Sequence, residues 1–210
     1  MYQYAYRKFR SRAIEYLIAV NAFMFFLTIA LPARFTMEYL ALIPSRIMSH
    51  PWTFLTSMFV HAGIWHIFFN MFALFLFGSY LERLTSTNSF IKTYFIGGFF
   101  AAIAYIATAP LLGTWNVPAV GASGAVFAVI GALVVLRPNM TIYVNLLFPM
   151  PLWVFAILYT IMALGSMGGG MGGVAENAHL GGLLAGIVLG YYFKRNEKPQ
   201  AYVYQGYRYY

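Results

Sequence analysis

Long apolar runs, broken by short polar or glycine-rich stretches, dominate this chain. Six of them approach the roughly 20 residues a helix needs to cross a hydrocarbon layer. They are Ile14–Leu31, Ile64–Leu81, Phe90–Ala109, Ala122–Leu136, Leu147–Leu164 and Ala178–Phe193. The pattern predicts an all-α fold: one polytopic membrane domain over residues 1–210, built as a bundle of six transmembrane helices. Residues 1–13 form a basic N-terminal segment and 194–210 a tyrosine-rich tail. The tail is expected either along the membrane interface, where tyrosine is favoured, or without fixed structure. The first run is long for the core of a signal peptide, and no small-residue cleavage pattern follows it, so it reads as a retained span. The longest connection, residues 32–63, is rich in aromatic and apolar side chains, including Trp52. It is expected to be an interfacial, partly helical loop rather than a plain solvated one.

Composition agrees. The chain is 61% hydrophobic and 9% charged, against about 45–50% and 25% in average soluble domains. The net charge of +8 would point to nucleic acid in a soluble chain. Here the basic residues flank the spans and orient them. With the N-terminus inside, Arg7, Lys8, Arg10, Arg12, Arg83, Lys92, Arg137, Lys194, Arg195, Lys198 and Arg208 all fall on the cytoplasmic side, and only Arg34 and Arg46 of the 13 basic residues fall outside. The expected topology is therefore N-in and C-in.

Under that topology spans two, four and six all begin at the outer face. The polar residues embedded in them cluster at those beginnings: His66 and Asn70 in span two, Ser123 in span four, His179 in span six. Polar groups inside a bilayer are costly unless they find partners or serve a function. Their common depth predicts one shared site.

Ser123 lies in Gly121-Ala122-Ser123-Gly124-Ala125. A serine hydroxyl becomes a nucleophile once a base takes its proton. At a helix start the backbone N–H groups lack partners and the helix dipole favours negative charge, which suits an oxyanion. Gly121 and Gly124 would let a peptide backbone come close. The competing role is helix packing, the commoner use of Gly/Ala/Ser runs in membranes. His179 lies in Ala178-His179-Leu180-Gly181-Gly182. At about 100° per residue, Gly182, Gly186 and Gly190 share its helix face within roughly 60°. Phe127 and Gly131 share the face of Ser123 within roughly 80°. Packing these two small-residue stripes together would bring His179 to Ser123. A lone histidine would more often be structural; the paired stripes favour a general base.

His66 and Asn70 are four apart and share a helix face. Both can donate to a developing oxyanion; interhelical hydrogen bonding is the rival role, more serious for His66. The chain has no aspartate and no cysteine, so a serine–histidine pair has no ordinary acidic third member. A dyad is expected, with Glu176 the one available alternative and most activity retained when it is truncated. Aspartyl intramembrane chemistry is excluded, and the His-Glu-x-x-His zinc motif is absent. His61 and His66, taken as helical, would sit about 140° apart and not form a same-face metal pair.

The motifs His66-Ile67-Phe68-Phe69-Asn70, Gly121-Ala122-Ser123-Gly124 and Ala178-His179-Leu180-Gly181-Gly182, in this order and in these spans, resemble those of the rhomboid intramembrane proteases over nearly the whole chain, in their basic six-helix form. The resemblance implies that Ser123 attacks a peptide carbonyl and that His179 acts as base, then acid. It puts His66, Asn70 and the Ser123 backbone N–H around the oxyanion and Phe127 against the His179 ring. It implies a first loop partly in the outer leaflet and a glycine-rich outer cap over residues 165–177. Two features depart from the family. Trp52 is followed by Thr53 where members often carry Trp-Arg, and the cap is unusually rich in glycine, as a mobile gate or a plain linker would be. Glu82-Arg83 fits a structural pair.

The function expected is a serine endopeptidase of a prokaryotic plasma membrane, cleaving transmembrane protein substrates near the outer face. The bilayer is its other partner; nucleic acid, cofactor and metal are not expected, and oligomeric state is not specified. The alternatives are a catalytically silent binding protein of the same fold and a small transporter or channel. The last is disfavoured because no ionisable residue is expected deep in a span.

Overall fold

The computed structural model describes residues 13–144, 147–166 and 175–196. Residues 1–12 of the N-terminal segment, 197–210 of the tail and most of the predicted cap, residues 167–174, lie outside the described residues.

Helix α1 (Ala13–Ala30) matches the first apolar run. The loop that follows is partly helical, as expected. It holds α2 (Ala33–Tyr39), a 3-10 turn at Pro44–Arg46, the short α3 (Thr53–Thr56) and a second 3-10 turn at Ser57–Phe59. Helix α4 (Ile64–Ala73) runs through a π turn (Leu74–Gly78) into α5 (Ser79–Leu84), making one 21-residue rod. The π turn coincides with close packing. A Cβ at Gly78 would stand 2.8 Å from Ile14 of α1 and 3.0 Å from Phe90. Helix α6 (Thr87–Leu112) starts where Ser86 accepts from the Ser89 N–H, an N-cap that satisfies an otherwise orphan donor. Helices α7 (Ser123–Leu136), α8 (Leu152–Ser166) and α9 (Glu176–Asn196) complete the bundle.

The fold is mostly helical, as expected, with one local departure. Strands β1 (Thr141–Val144) and β2 (Phe148–Pro151) pair antiparallel between α7 and α8. The fifth apolar run was expected to become helical at Leu147; the helix begins at Leu152 instead. Pro149 and Pro151 account for this, because a proline restricts the residue before it to extended backbone and supplies no N–H. Hydrophobicity marked the run correctly but could not tell its extended beginning from its helical remainder.

Large apolar side chains lie exposed all round the bundle, among them Phe23, Phe26, Phe68, Phe69, Ile161, Met162, Leu184 and Val188. Such a perimeter requires an apolar solvent. Helices α1, α4–α5 and α6 are each long and apolar enough to cross a membrane. Inside this ring α7 is almost wholly buried, with Ala128, Val129, Ala132 and Leu133 at 0% exposure. It packs on α6, α9 and the α4–α5 rod.

The seam between α7 and α9 positions the site. A Cβ on Gly182 would run into the Gly124 carbonyl, one on Gly186 into the Ala128 carbonyl, and one on Gly131 into the Leu183 carbonyl. A Cβ on Gly190 would stand 2.8 Å from the Ala132 carbonyl. These are backbone-to-backbone contacts, which only small residues permit. The predicted stripe of Gly182, Gly186 and Gly190 is thus the α9 side of the seam. Gly181, on the adjacent face, packs on Ala104 and the Phe100 carbonyl of α6.

Candidate active site

Helices α4, α7 and α9 all begin at one end of the bundle, and their first turns carry His66, Ser123 and His179. Ser123 is the first residue of α7. Its N–H is one of those that helical geometry leaves without an intrahelical acceptor. The approach to it is held by the first loop. Leu42 and Ala119 exchange both backbone hydrogen bonds, at 3.0 and 2.8 Å, and the Gly121 N–H donates to the Ser57 carbonyl at 2.9 Å. The Thr56 hydroxyl donates to the Leu40 carbonyl at 2.8 Å, tying the loop to itself. Trp52 donates from its indole N–H to the Tyr39 carbonyl at 2.7 Å, while Thr53, the departure noted above, donates to the His50 carbonyl at 2.7 Å.

Gly121 has φ +119°, a conformation that side chains rarely adopt. A Cβ there would also stand 2.8 Å from both Cε1 and Nε2 of His66 and 3.7 Å from Ser123 Oγ. Two independent requirements therefore meet at Gly121, and the His66 ring lies directly beside the serine. His66 Nδ1 accepts the Ala62 N–H at 3.3 Å, which leaves Nε2 to carry the ring proton on the side facing Gly121. Asn70 is buried, and its amide donates to the His66 carbonyl at 2.8 Å, one turn back.

His179 Nε2 lies 2.6 Å from Ser123 Oγ. The α7–α9 seam brings this pair together across 56 residues of sequence. Phe127 stacks on the His179 ring with centroids 4.7 Å apart and planes at 21°, in the place the resemblance implies. At the start of α9 the Asn177 amide donates to the Thr108 hydroxyl of α6 at 2.6 Å, which anchors the turn that carries His179. Ser123, His179, His66, Asn70, Gly121 and Gly124 all line one open cavity of about 1160 Å³.

Two features escaped the sequence. Tyr159 of α8 sits at the other ring nitrogen: its hydroxyl is 2.9 Å from His179 Nδ1 and donates to Glu176. It also stacks on Phe127, with centroids 4.3 Å apart. No motif marked it; only its place in an apolar span as a residue with a polar tip distinguished it. The second feature is His61. His61 and His66 do not share a helix, because the helix begins at Ile64 and His61 precedes it. The two rings meet edge to face with centroids 5.2 Å apart. His61 is 5% exposed, and among the described residues neither of its ring nitrogens makes a hydrogen bond of good geometry. Burial, then the neighbouring His66, lowers its pKa to about 4 against an opposing pull from the Phe59 backbone. Among the described residues no group of three or more His, Cys, Asp or Glu side chains could hold a metal ion.

The sequence pattern of the Rhomboid domain family matches residues 48–196, which takes in every helix from α3 to α9. The chain belongs to the rhomboid family. It is an integral membrane protein, by that membership and by its apolar helices. Among its relatives, RHOMBOID-like protein 1 of Arabidopsis thaliana is 30% identical over 187 residues, 81% of this chain and 45% of that protein. Rhomboid protease GluP of Bacillus subtilis (strain 168) is 31% identical over 140 residues, 65% of this chain and 25% of that protein. Inactive RHOMBOID-like protein 8 of Arabidopsis thaliana is 26% identical over 135 residues, 64% of this chain and 36% of that protein. The chain thus spans less than half the length of each of these relatives. Rhomboid relatives named as a protease and as inactive both occur, so membership alone does not decide activity. They come from a plant as well as a bacterium, and the likeness does not assign this rhomboid chain to a prokaryotic plasma membrane.

Proposed function

We propose that this rhomboid protein is an intramembrane serine endopeptidase that cleaves transmembrane segments of membrane proteins near the outer membrane face. The observation that carries this reading is the 2.6 Å contact between His179 Nε2 and Ser123 Oγ. That distance is within reach of the proton the base must take. The bundle is read as six spans with both termini inside. In support, Arg34 and Arg46 fall at the site end, whereas Arg83, Arg137, Lys194 and Arg195 fall at the opposite end.

The chemistry follows from the atoms. Ser123 Oγ attacks the scissile carbonyl carbon while its proton passes to His179 Nε2. The carbonyl oxygen becomes an oxyanion, stabilised by the free Ser123 N–H at the α7 start and by His66 Nε2–H; Asn70, one turn below His66, is the further donor. The imidazolium then gives its proton to the departing amine nitrogen, leaving an acyl ester on Ser123. Water entering from the open cavity repeats the cycle on the ester and frees the serine. No step requires a cofactor. The substrate segment must be extended at the cleavage point, since a helical backbone keeps its carbonyls bonded within itself.

The test is cleavage of a transmembrane substrate by purified protein in detergent, wild type beside Ser123→Ala and His179→Ala. Loss in both variants supports the reading; cleavage that survives Ser123→Ala sinks it. Labelling of Ser123 by a fluorophosphonate separates an active enzyme from a silent protein of the same fold.

A further inference from the structure

The far side of His179 is built as carefully as the side that faces Ser123. The Tyr159 hydroxyl, on α8, lies 2.9 Å from His179 Nδ1 and donates to Glu176 Oε2. Glu176 Oε2 is itself 3.4 Å from Nδ1. An ionised carboxylate has no proton to give and can only accept. Tyrosine has one O–H. With that proton directed at Glu176, the oxygen that faces His179 offers lone pairs alone. The contact to Nδ1 is then a hydrogen bond only if Nδ1 carries the ring proton. A neutral imidazole has one such proton, so Nε2 is bare, and Nε2 is the atom that faces Ser123 Oγ. Polarity propagates from the carboxylate through two side chains to the nucleophile.

Geometry holds this order in place. Phe127 stacks on both Tyr159 and His179, at 4.3 and 4.7 Å between centroids, and brings no competing polar atom. Both polar side chains are mostly shielded, His179 at 13% and Glu176 at 22% exposure, so water competes weakly for these bonds. Among the described residues the groups that face the histidine are Ser123 from α7, Tyr159 from α8, Glu176 from its own helix and, within electrostatic reach, His66 from α4. Glu176 is the sole anion among them.

We infer that Glu176, acting through Tyr159, is a positioning residue that holds His179 in the Nδ1–H tautomer and faces the imidazolium as it forms. The working unit is then Ser123, His179, Tyr159 and Glu176 in series, not a dyad. This rests on the hydrolytic reading of Ser123 and His179, and it revises the expectation that truncating Glu176 leaves most activity.

The experiment uses the full chain in detergent micelles, with ¹⁵N-labelled histidine, alongside cleavage kinetics. The chain has four histidines, and the signal lost in His179→Ala identifies the one of interest. In wild type at neutral pH the expected pattern is a protonated Nδ1 and a bare Nε2. Glu176→Gln keeps the shape but can donate as well as accept, so the tautomer preference should be lost. Its kcat should fall by about 10- to 100-fold, by analogy with the loss of partners that orient a metal-bound histidine, with KM nearly unchanged. Glu176→Asp, which still can only accept, should recover part of that loss. Tyr159→Phe keeps the stacking and removes the relay, and adding it to Glu176→Gln should cost less than the product of the single losses, as for residues in one network. A wild-type His179 protonated on Nε2 overturns the inference, and so does a Glu176→Gln variant with wild-type tautomer and kcat. If Ser123→Ala is dead while Glu176→Gln is unimpaired, the positioning role fails and the hydrolytic reading stands. If wild type cleaves nothing yet shows the Nδ1–H tautomer, lost in Glu176→Gln, the arrangement stands and the hydrolytic reading fails.

Discussion

Helix α7 is packed differently on its two sides. Toward α9 the contacts are backbone against backbone, Gly182 on Gly124 and Gly186 on Ala128. Toward α8 they are long side chains, Phe127 stacked on Tyr159, and α8 itself buries only Leu152, Ala156 and Ala163. The two sides of α7 divide the labour of the site. The distance from Ser123 to His179 rests on a seam with no rotamers to adjust, so it is reproduced whenever the helices dock. The Nδ1 side of His179 rests on Tyr159, from a lightly buried helix, whose position depends on stacking against Phe127 and on two hydrogen bonds. The seam supplies reach; the α8 side supplies orientation.

The largest effect is expected from Ser123→Ala or His179→Ala, each lowering cleavage by about 10⁴-fold or more, read as product from a transmembrane substrate. Next, His66→Ala should cost about 10²–10³-fold in kcat, the range for a lost oxyanion donor, and a loss under tenfold would remove His66 from that role. Gly186→Ala tests the seam directly. Its methyl meets the Ala128 carbonyl, which cannot rotate away, so the helices must part. About 100-fold lower activity, as for a 1 Å misplacement, and about 1–3 kcal/mol lower stability, as for overpacking, are expected. If Gly186→Ala behaves as wild type, the seam is not the rigid element described.

Two smaller effects leave both sides of α7 intact. Burial holds His61 uncharged, with its pKa lowered to about 4, while in the unfolded chain it would protonate near pH 6.5. Its contribution to stability is therefore complete above about pH 6.5 and declines as pH falls toward 4, by no more than about 3 kcal/mol. Thermal unfolding between pH 7 and 4 should show this slope, and His61→Leu should flatten it. Ile161→Ala, on the exposed face of α8, should change stability by less than about 0.5 kcal/mol.

Much of the site was legible because membrane helices make polar residues conspicuous. His66, Asn70, Ser123 and His179 stood out against apolar surroundings at matching depths, and the glycine periodicity on α9 indicated which face meets α7. The failures have equally local causes. Phe148–Pro151 is as apolar as a helix but extended, since Pro149 and Pro151 deny it helical hydrogen bonding. His61 was placed on a helix that begins three residues later. Tyr159 was invisible because tyrosine is ordinary in a membrane span, and nothing in its neighbours marks a partner 17 residues away.

The solvent, the apolar helices and the candidate serine–histidine pair are legible in the residues alone. They follow from local composition and from the periods of single helices matched to one another. Only the tertiary structure decided which group attends the second nitrogen of His179, that Gly121 is required by both its φ and the His66 ring, and that the first loop ties itself to the strand of chain before Ser123. Those facts are relations between distant segments. Hydrogen-bond polarity and backbone contact exist only once the helices have docked.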